Sequence, residues 1–233
     1  MKDWRRWLAS LAYGSLTMTF KWLQRLFSGF VVLVTLLTAA EAQPLNIVGF
    51  GDSLMAGYQL DPGQSFPEKL EAALKRQGHD VVIANAGVSG DTSSGGLSRL
   101  DWSIPDGTDL VILELGANDM LRGIAPDVTR KNLTAMIEAL QARNIRIIFA
   151  GMLAAPNLGA GYAAEFNLIY PQLADTYDLP FYPFFLDGVT AEPEFLLGDG
   201  MHPNDKGVDL MVEKFLPLID TLLAEMGAET TTD

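Results

Sequence analysis

Four short apolar runs at regular intervals constrain this chain more than any other feature. LNIVGF (45–50), VVIANA (81–86), DLVILEL (109–115) and IRIIFAG (145–151) are continuous and rich in β-branched residues, and a weaker run, PFYPF (180–184), follows. Runs of this length without polar alternation read as strands covered on both faces, which are parallel strands. Segments of helical character separate them. The first opens on Ser65-Phe66-Pro67-Glu68, a Ser-x-x-Glu capping box with proline in its first turn, and stops at Gly78. Phe66, Leu70 and Leu74 give it one apolar face. Further helices are expected near 93–100, 127–143 and 162–178. The last begins after Asn204 and buries Val208, Met211, Val212, Phe215, Ile219 and Leu222, with a kink expected at Pro217. Strand–helix alternation predicts a doubly wound α/β sheet without internal repeat or linker.

The 233 residues, 48% of them hydrophobic, suffice for one sizeable core. Residues 43–233 are expected to form that single domain. Residues 1–42 read differently. Lys21 and Arg25 precede LFSGFVVLVTLLTAA, fifteen uncharged residues from Leu26 to Ala40, and Ala40-Glu41-Ala42 then fits the small-x-small pattern of signal cleavage. The run is short for a spanning helix, which needs about 20 residues. A cleaved secretory signal is therefore expected, giving a periplasmic or secreted domain, with an uncleaved membrane anchor as the alternative. Met18 would start a signal of ordinary length, so residues 1–17 are read as a possible over-extended start. Arg5-Arg6 resembles a twin-arginine signal only weakly.

Of the chain's net charge of −13, residues 1–42 contribute five basic residues (Lys2, Arg5, Arg6, Lys21, Arg25) and two acidic ones (Asp3, Glu41), leaving a domain at −16. Such a domain repels phosphates, which argues against nucleic-acid partners. The absence of cysteine excludes disulfides, thiolate zinc sites, a cysteine nucleophile and a lipidated cysteine.

The candidate chemistry lies where the strands end. The first run stops abruptly in Gly51-Asp52-Ser53, and glycine at the bend admits a sharp turn. Ser53 then stands at the carboxyl end of a strand, where open α/β sheets bind ligands. It reads as a nucleophile or as the N-cap of the next helix. Of the two histidines, His79 follows the helix-ending Gly78 and reads as an exposed loop residue. His202 sits in GDGMHPND, three residues after Asp199. A carboxylate at that spacing can turn back to hold Nδ1–H and leave Nε2 as a base. The competing reading is a helix-capping turn in which Asn204 caps and His202 is incidental. NAGVSGDTSSGG (85–96) can converge backbone N–H groups on an anion, and Asn118 in LGANDMLRG (115–123) can donate an amide or form an Asx-turn. Ser53, Gly90 and Asn118 follow successive strands, so a parallel sheet brings them to one edge.

GFGDSLMAGY, NAGVSGDTS, LELGANDMLRG and DGMHPN together resemble the four sequence blocks of the SGNH, or GDSL, hydrolases, in order and in spacing. The resemblance is greatest to the bacterial periplasmic thioesterase, arylesterase and lysophospholipase branch, and covers nearly all of residues 45–223. It implies a three-layer α/β/α sandwich, flavodoxin-like, and a serine esterase or thioesterase needing neither metal nor cofactor. By motif, Ser53 is the nucleophile and also gives its backbone N–H to the oxyanion, as Gly90 does. Asn118 gives its side-chain amide, and Asp199 and His202 complete the triad. The partners implied are small acyl esters or thioesters, with transient contact to membrane lipid possible and a monomer the favoured state.

Other readings compete. Gly49-Phe50-Gly51 after a strand suggests dinucleotide binding, but the third glycine position is Leu54 and Asn85 ends the second strand where an acid is required. The lipase elbow Gly-x-Ser-x-Gly does not occur, which disfavours an α/β-hydrolase. A carbohydrate O-acetyl esterase is the alternative within hydrolases. Two apolar stretches, MLRGIAP (120–126) and MLAAPNLGAGY (152–162), are expected to overhang the site, with Met120, Leu121, Ile124, Leu153 and Leu158 lining an acyl groove.

Overall fold

A computed structural model describes residues 43–230. The expected signal segment, residues 1–42, lies outside the described residues. Five parallel strands, β1 (Leu45–Gly51), β2 (Val81–Gly87), β3 (Leu110–Glu114), β4 (Arg146–Ala150) and β5 (Phe181–Tyr182), form one sheet in the order β2-β1-β3-β4-β5. All five residues of β3 are buried, as an unbroken apolar run requires of a strand covered on both faces. The chain steps outward from β1 to β2, then reverses to β3, β4 and β5. Right-handed crossovers therefore put helices on both faces, and the reversal opens a crevice at the carboxyl ends of β1 and β3.

The helices are α1 (Ser53–Ala56), α2 (Phe66–Arg76), α3 (Ser93–Ser103), α4 (Ala117–Leu121), α5 (Pro126–Ala142), α6 (Ala160–Phe166), α7 (Ile169–Tyr177) and α8 (Asp205–Thr230). Helix α2 starts on the expected box, with Glu68 accepting from both the N–H and the hydroxyl of Ser65. It packs on α8, where Phe66 meets Phe185 and Phe215 edge-on at ring separations of 4.8 and 5.3 Å. Such pairs contribute about 0.5–1.5 kcal/mol beyond their burial. Helices α3, α5 and α7 pack in series on the other face.

Two local expectations change. The helix expected over 162–178 is two helices, because Pro171 cannot donate within a continuous helix and its ring would clash with the carbonyl of Asn167. In the first turn of α7 it is tolerated, and Asn167 uses its side chain to accept from Ala154 N–H. Pro217 lies inside α8, which continues through it to Thr230. His79 is half-buried, with Nε2 3.1 Å from Asp220 on α8. Among the described residues no helix is long and apolar enough to cross a membrane.

Candidate active site

Strand β1 delivers Ser53 to the crevice. Gly51 is not among the residues with positive φ, so the bend before Ser53 does not depend on left-handed backbone. The glycine is required by proximity: a Cβ there would stand 2.4 Å from Glu114 Oε2 and 2.7 Å from the Glu114 carbonyl. Gly49 is likewise filled against, by Met55 and Pro67. These glycines serve packing between strands and helix, which removes the basis for a dinucleotide loop. The N-cap of α1 is Asp52, whose Oδ1 accepts from Leu54 N–H at 3.0 Å. Ser53 is the first residue inside the helix, and its hydroxyl is free of capping duty.

That hydroxyl lies 2.9 Å from Nε2 of His202, and Nδ1 of the same ring lies 2.6 Å from Asp199 Oδ2. A tight loop makes the second contact possible. Asp199 Oδ1 accepts from the N–H groups of Met201 and His202, folding the loop back on itself. Together with the ring contact, these bonds hold the Asp199 carboxyl down at about 2. Asn204 caps as that reading has it, its Oδ1 accepting from Gly207 N–H at the start of α8, but His202 is not incidental. Helix α8 thus begins three residues after the imidazole and anchors it. The Tyr58 ring lies against the imidazole at 4.4 Å.

Gly90 and Asn118 border the same cavity as Ser53 and His202. Gly90 has φ +83°, open to glycine at little cost, and its carbonyl accepts from Arg122. Asn118 stands in α4, and its amide nitrogen donates to Asp52 Oδ2 at 3.0 Å. Asp119 beside it is fully buried and accepts from the backbone and hydroxyl of Ser93 and from Thr129. This carboxylate ties the start of α3 to α4, and so fixes the loop carrying Gly90 relative to Asn118.

Arg99 does the same for the strand ends. Buried to 5% exposure, it pairs with Asp91 at 2.6 Å, donates to the carbonyls of Ala86 and Gly51, and lies 4.0 Å above the Phe50 ring. Sequence reasoning missed both Arg99 and Asp119, since charged residues on amphipathic helices read as solvent-facing. Glu114 offered a signal: it is the one acid inside an apolar strand after its first residue. Its side chain is fully buried, Oε2 accepts from Asp52 N–H, and Oε1 has no partner among the described residues. Burial and the neighbouring Asp52 charge push its carboxyl well above the usual range, while burial raises Asp52 to about 6 against the bonds from Leu54 and Asn118.

The cavity has a volume of about 880 Å³. Met120, Leu121 and Leu153 line it; Ile124 and Leu158 do not. Ile124 instead offers its carbonyl to Tyr162, and Leu158 packs against the core. Phe184, Leu186, Leu196 and Met201 complete an apolar wall the sequence had not indicated. Among the described residues no cluster of three His, Asp or Glu is arranged to hold a metal ion.

Comparison with known proteins agrees with this geometry. The model of the GDSL-like Lipase/Acylhydrolase family matches residues 50–210. An arylesterase of Vibrio mimicus is 39% identical over 184 residues, covering 78% of this chain and 92% of that protein. The "Thioesterase 1/protease 1/lysophospholipase L1" of Escherichia coli is 36% identical over 196 residues, covering 82% and 91%. The solved structure of AlinE4, an SGNH-hydrolase family esterase, is 45% identical with a TM-score of 0.66, covering 79% of this chain and 99% of that one.

Proposed function

Because the chain belongs to the GDSL-like lipase/acylhydrolase family, we propose that it hydrolyses carboxylic esters and thioesters of apolar acyl groups with Ser53, His202 and Asp199 as its catalytic triad. The observation that carries this reading is one imidazole bridging Ser53 Oγ at 2.9 Å and Asp199 at 2.6 Å. Nε2 takes the serine proton as Oγ attacks the acyl carbonyl, and Asp199, ionised across the working range, stabilises the imidazolium. The oxyanion is received by the N–H groups of Ser53 and Gly90 and by the Asn118 amide. His202 then protonates the departing alkoxide or thiolate, and water, activated by the same ring, releases the acid.

The apolar cavity wall supports acyl chains or aromatic esters over sugars. The basic-then-apolar stretch ahead of Ala40-Glu41-Ala42 supports an exported domain starting near Gln43 or Glu41. Ser53→Ala should fold with unchanged melting behaviour and lose about 10⁴-fold or more in kcat on p-nitrophenyl esters. His202→Ala should lose about as much and the double variant little more. Multiplicative losses would refute a triad acting as a unit, and activity confined to acetylated sugars would favour the O-acetyl esterase.

A further inference from the structure

Beneath the nucleophile lie two buried carboxyl groups, Asp52 and Glu114, which the steps above leave without a part. Asp52 is wholly buried, and each of its oxygens has a different donor: Oδ1 takes Leu54 N–H, and Oδ2 takes the Asn118 amide at 3.0 Å. A carboxylate only accepts, so the contact identifies which end of the Asn118 amide faces it. The nitrogen is anchored there, and it keeps one further N–H. We propose that Asp52 is a positioning residue of the oxyanion hole, holding the Asn118 amide by one N–H so that the other is fixed toward the substrate oxygen. This inference rests on the oxyanion role given to Asn118 above.

The requirement is for two acceptors on one side chain, and only a carboxylate at this position supplies both. Asparagine has the same shape and a single acceptor. With its oxygen toward Leu54, its NH₂ would face Asn118 and favour the flipped amide, which presents a carbonyl oxygen to the developing anion. With its oxygen toward Asn118, α1 loses its cap. Glu114, whose Oε2 binds the Asp52 N–H from below, adds a second constraint. Two adjacent carboxyls in a dry site ionise one at a time, and the two hydrogen bonds that the Asp52 carboxyl accepts, against the one that Glu114 accepts, favour placing the charge on Asp52.

The test is a double-variant cycle on kcat and KM with a p-nitrophenyl ester. Asn118→Ala alone should lower kcat by about 10²-fold, and no loss there would defeat the oxyanion role itself. Asp52→Asn should lower kcat by about 10–100-fold with KM changed less than about threefold, and should cost less than about twofold more when added to Asn118→Ala. Independent losses, or an Asp52→Asn enzyme with unaltered kcat, would overturn the inference while leaving Asn118 in place. Asp52→Ser keeps a capping oxygen for Leu54 but does not reach Asn118, so it tests the same tie with α1 intact, and the same kcat loss is expected.

The unmutated enzyme supplies a readout independent of those folds. The ionisable groups facing Asp52 are Glu114 on β3, His202 ahead of α8, Asp91 after β2 and Tyr170 on α7. Through about pH 6, log kcat/KM should carry a step from proton uptake by Asp52 in the unmutated protein, because a protonated Asp52 no longer offers two acceptor oxygens. In Asn118→Ala the step due to Asp52 should be absent. Identical slopes in the two proteins would overturn the inference.

Discussion

Replacing Arg99 with alanine should unfold this protein more readily than removing any other single charge among those described. The guanidinium is the junction of four contacts: Asp91, the carbonyls of Ala86 and Gly51, and the Phe50 ring. Removing one partner of a buried ion pair typically costs about 3–5 kcal/mol, because the remaining charge is left desolvated. The carbonyls soften the loss, since Gly51 O still accepts from Val88 N–H. The lost cation–π contact adds about 0.5–2 kcal/mol. A net loss of about 4 kcal/mol follows, or about 10 °C in Tm for a domain of this size. Urea unfolding at constant m-value measures it. Arg99→Lys, with one compact charge for Asp91 and no fork for the carbonyls, should recover about half. A loss under about 1 kcal/mol for Arg99→Ala would show that the strand ends hold without the junction, and that its burial is incidental. Because Gly51 precedes the nucleophile by two residues, kcat should fall in the folded fraction too.

The base must be neutral to take the serine proton, so activity should fall on acidification, and Asp199, held down at about 2, cannot be the group responsible; a flat kcat/KM down to pH 4 would refute His202 as the base. Stability should move in the opposite direction. Asp52 and Glu114 are raised on folding, so their contribution is complete below the unfolded carboxyl values near 4 and is lost as pH climbs through about 6 and beyond. Glu114→Gln should flatten that decline in unfolding free energy between pH 4 and 8, and an unchanged slope would refute the assignment. For substrates, half of the usual 0.8 kcal/mol per buried CH₂ predicts about a fourfold rise in kcat/KM from p-nitrophenyl acetate to butyrate. The rise should continue through hexanoate and be reversed by Leu121→Asp; preference for acetate alone would sink the acyl groove.

The strands and the residues that bear the chemistry were legible because both are local. An unbroken apolar run must be covered on both faces, and Asp199 and His202 lie close enough for a loop to join them. The supports were not legible, because they join distant segments. Arg99 reaches back 48 residues to Gly51, and Ser93 and Asp119 meet across 26. Nothing in their neighbourhoods marks them as buried. Leu121 and Leu153 border the cavity beside Phe184, Leu186 and Met201, which come from a segment with no periodic pattern. The break at Pro171 was written in the sequence and was overridden by the apolar periodicity around it.

The separation of 149 positions between Ser53 and His202 gives the protein an order of assembly. The nucleophile, its capping aspartate and the loop of Gly90 all emerge early during synthesis. The base arrives last, on a loop whose position depends on α8 docking against α2 through Phe66 and Phe215, with Lys69 reaching across to Asp205 and Asp209. A nascent chain that has emerged only through β5 therefore has a serine but no imidazole to activate it. Competence to cleave acyl bonds is gained in one late event, and the recovery of turnover during refolding is a clock for the seating of the final helix.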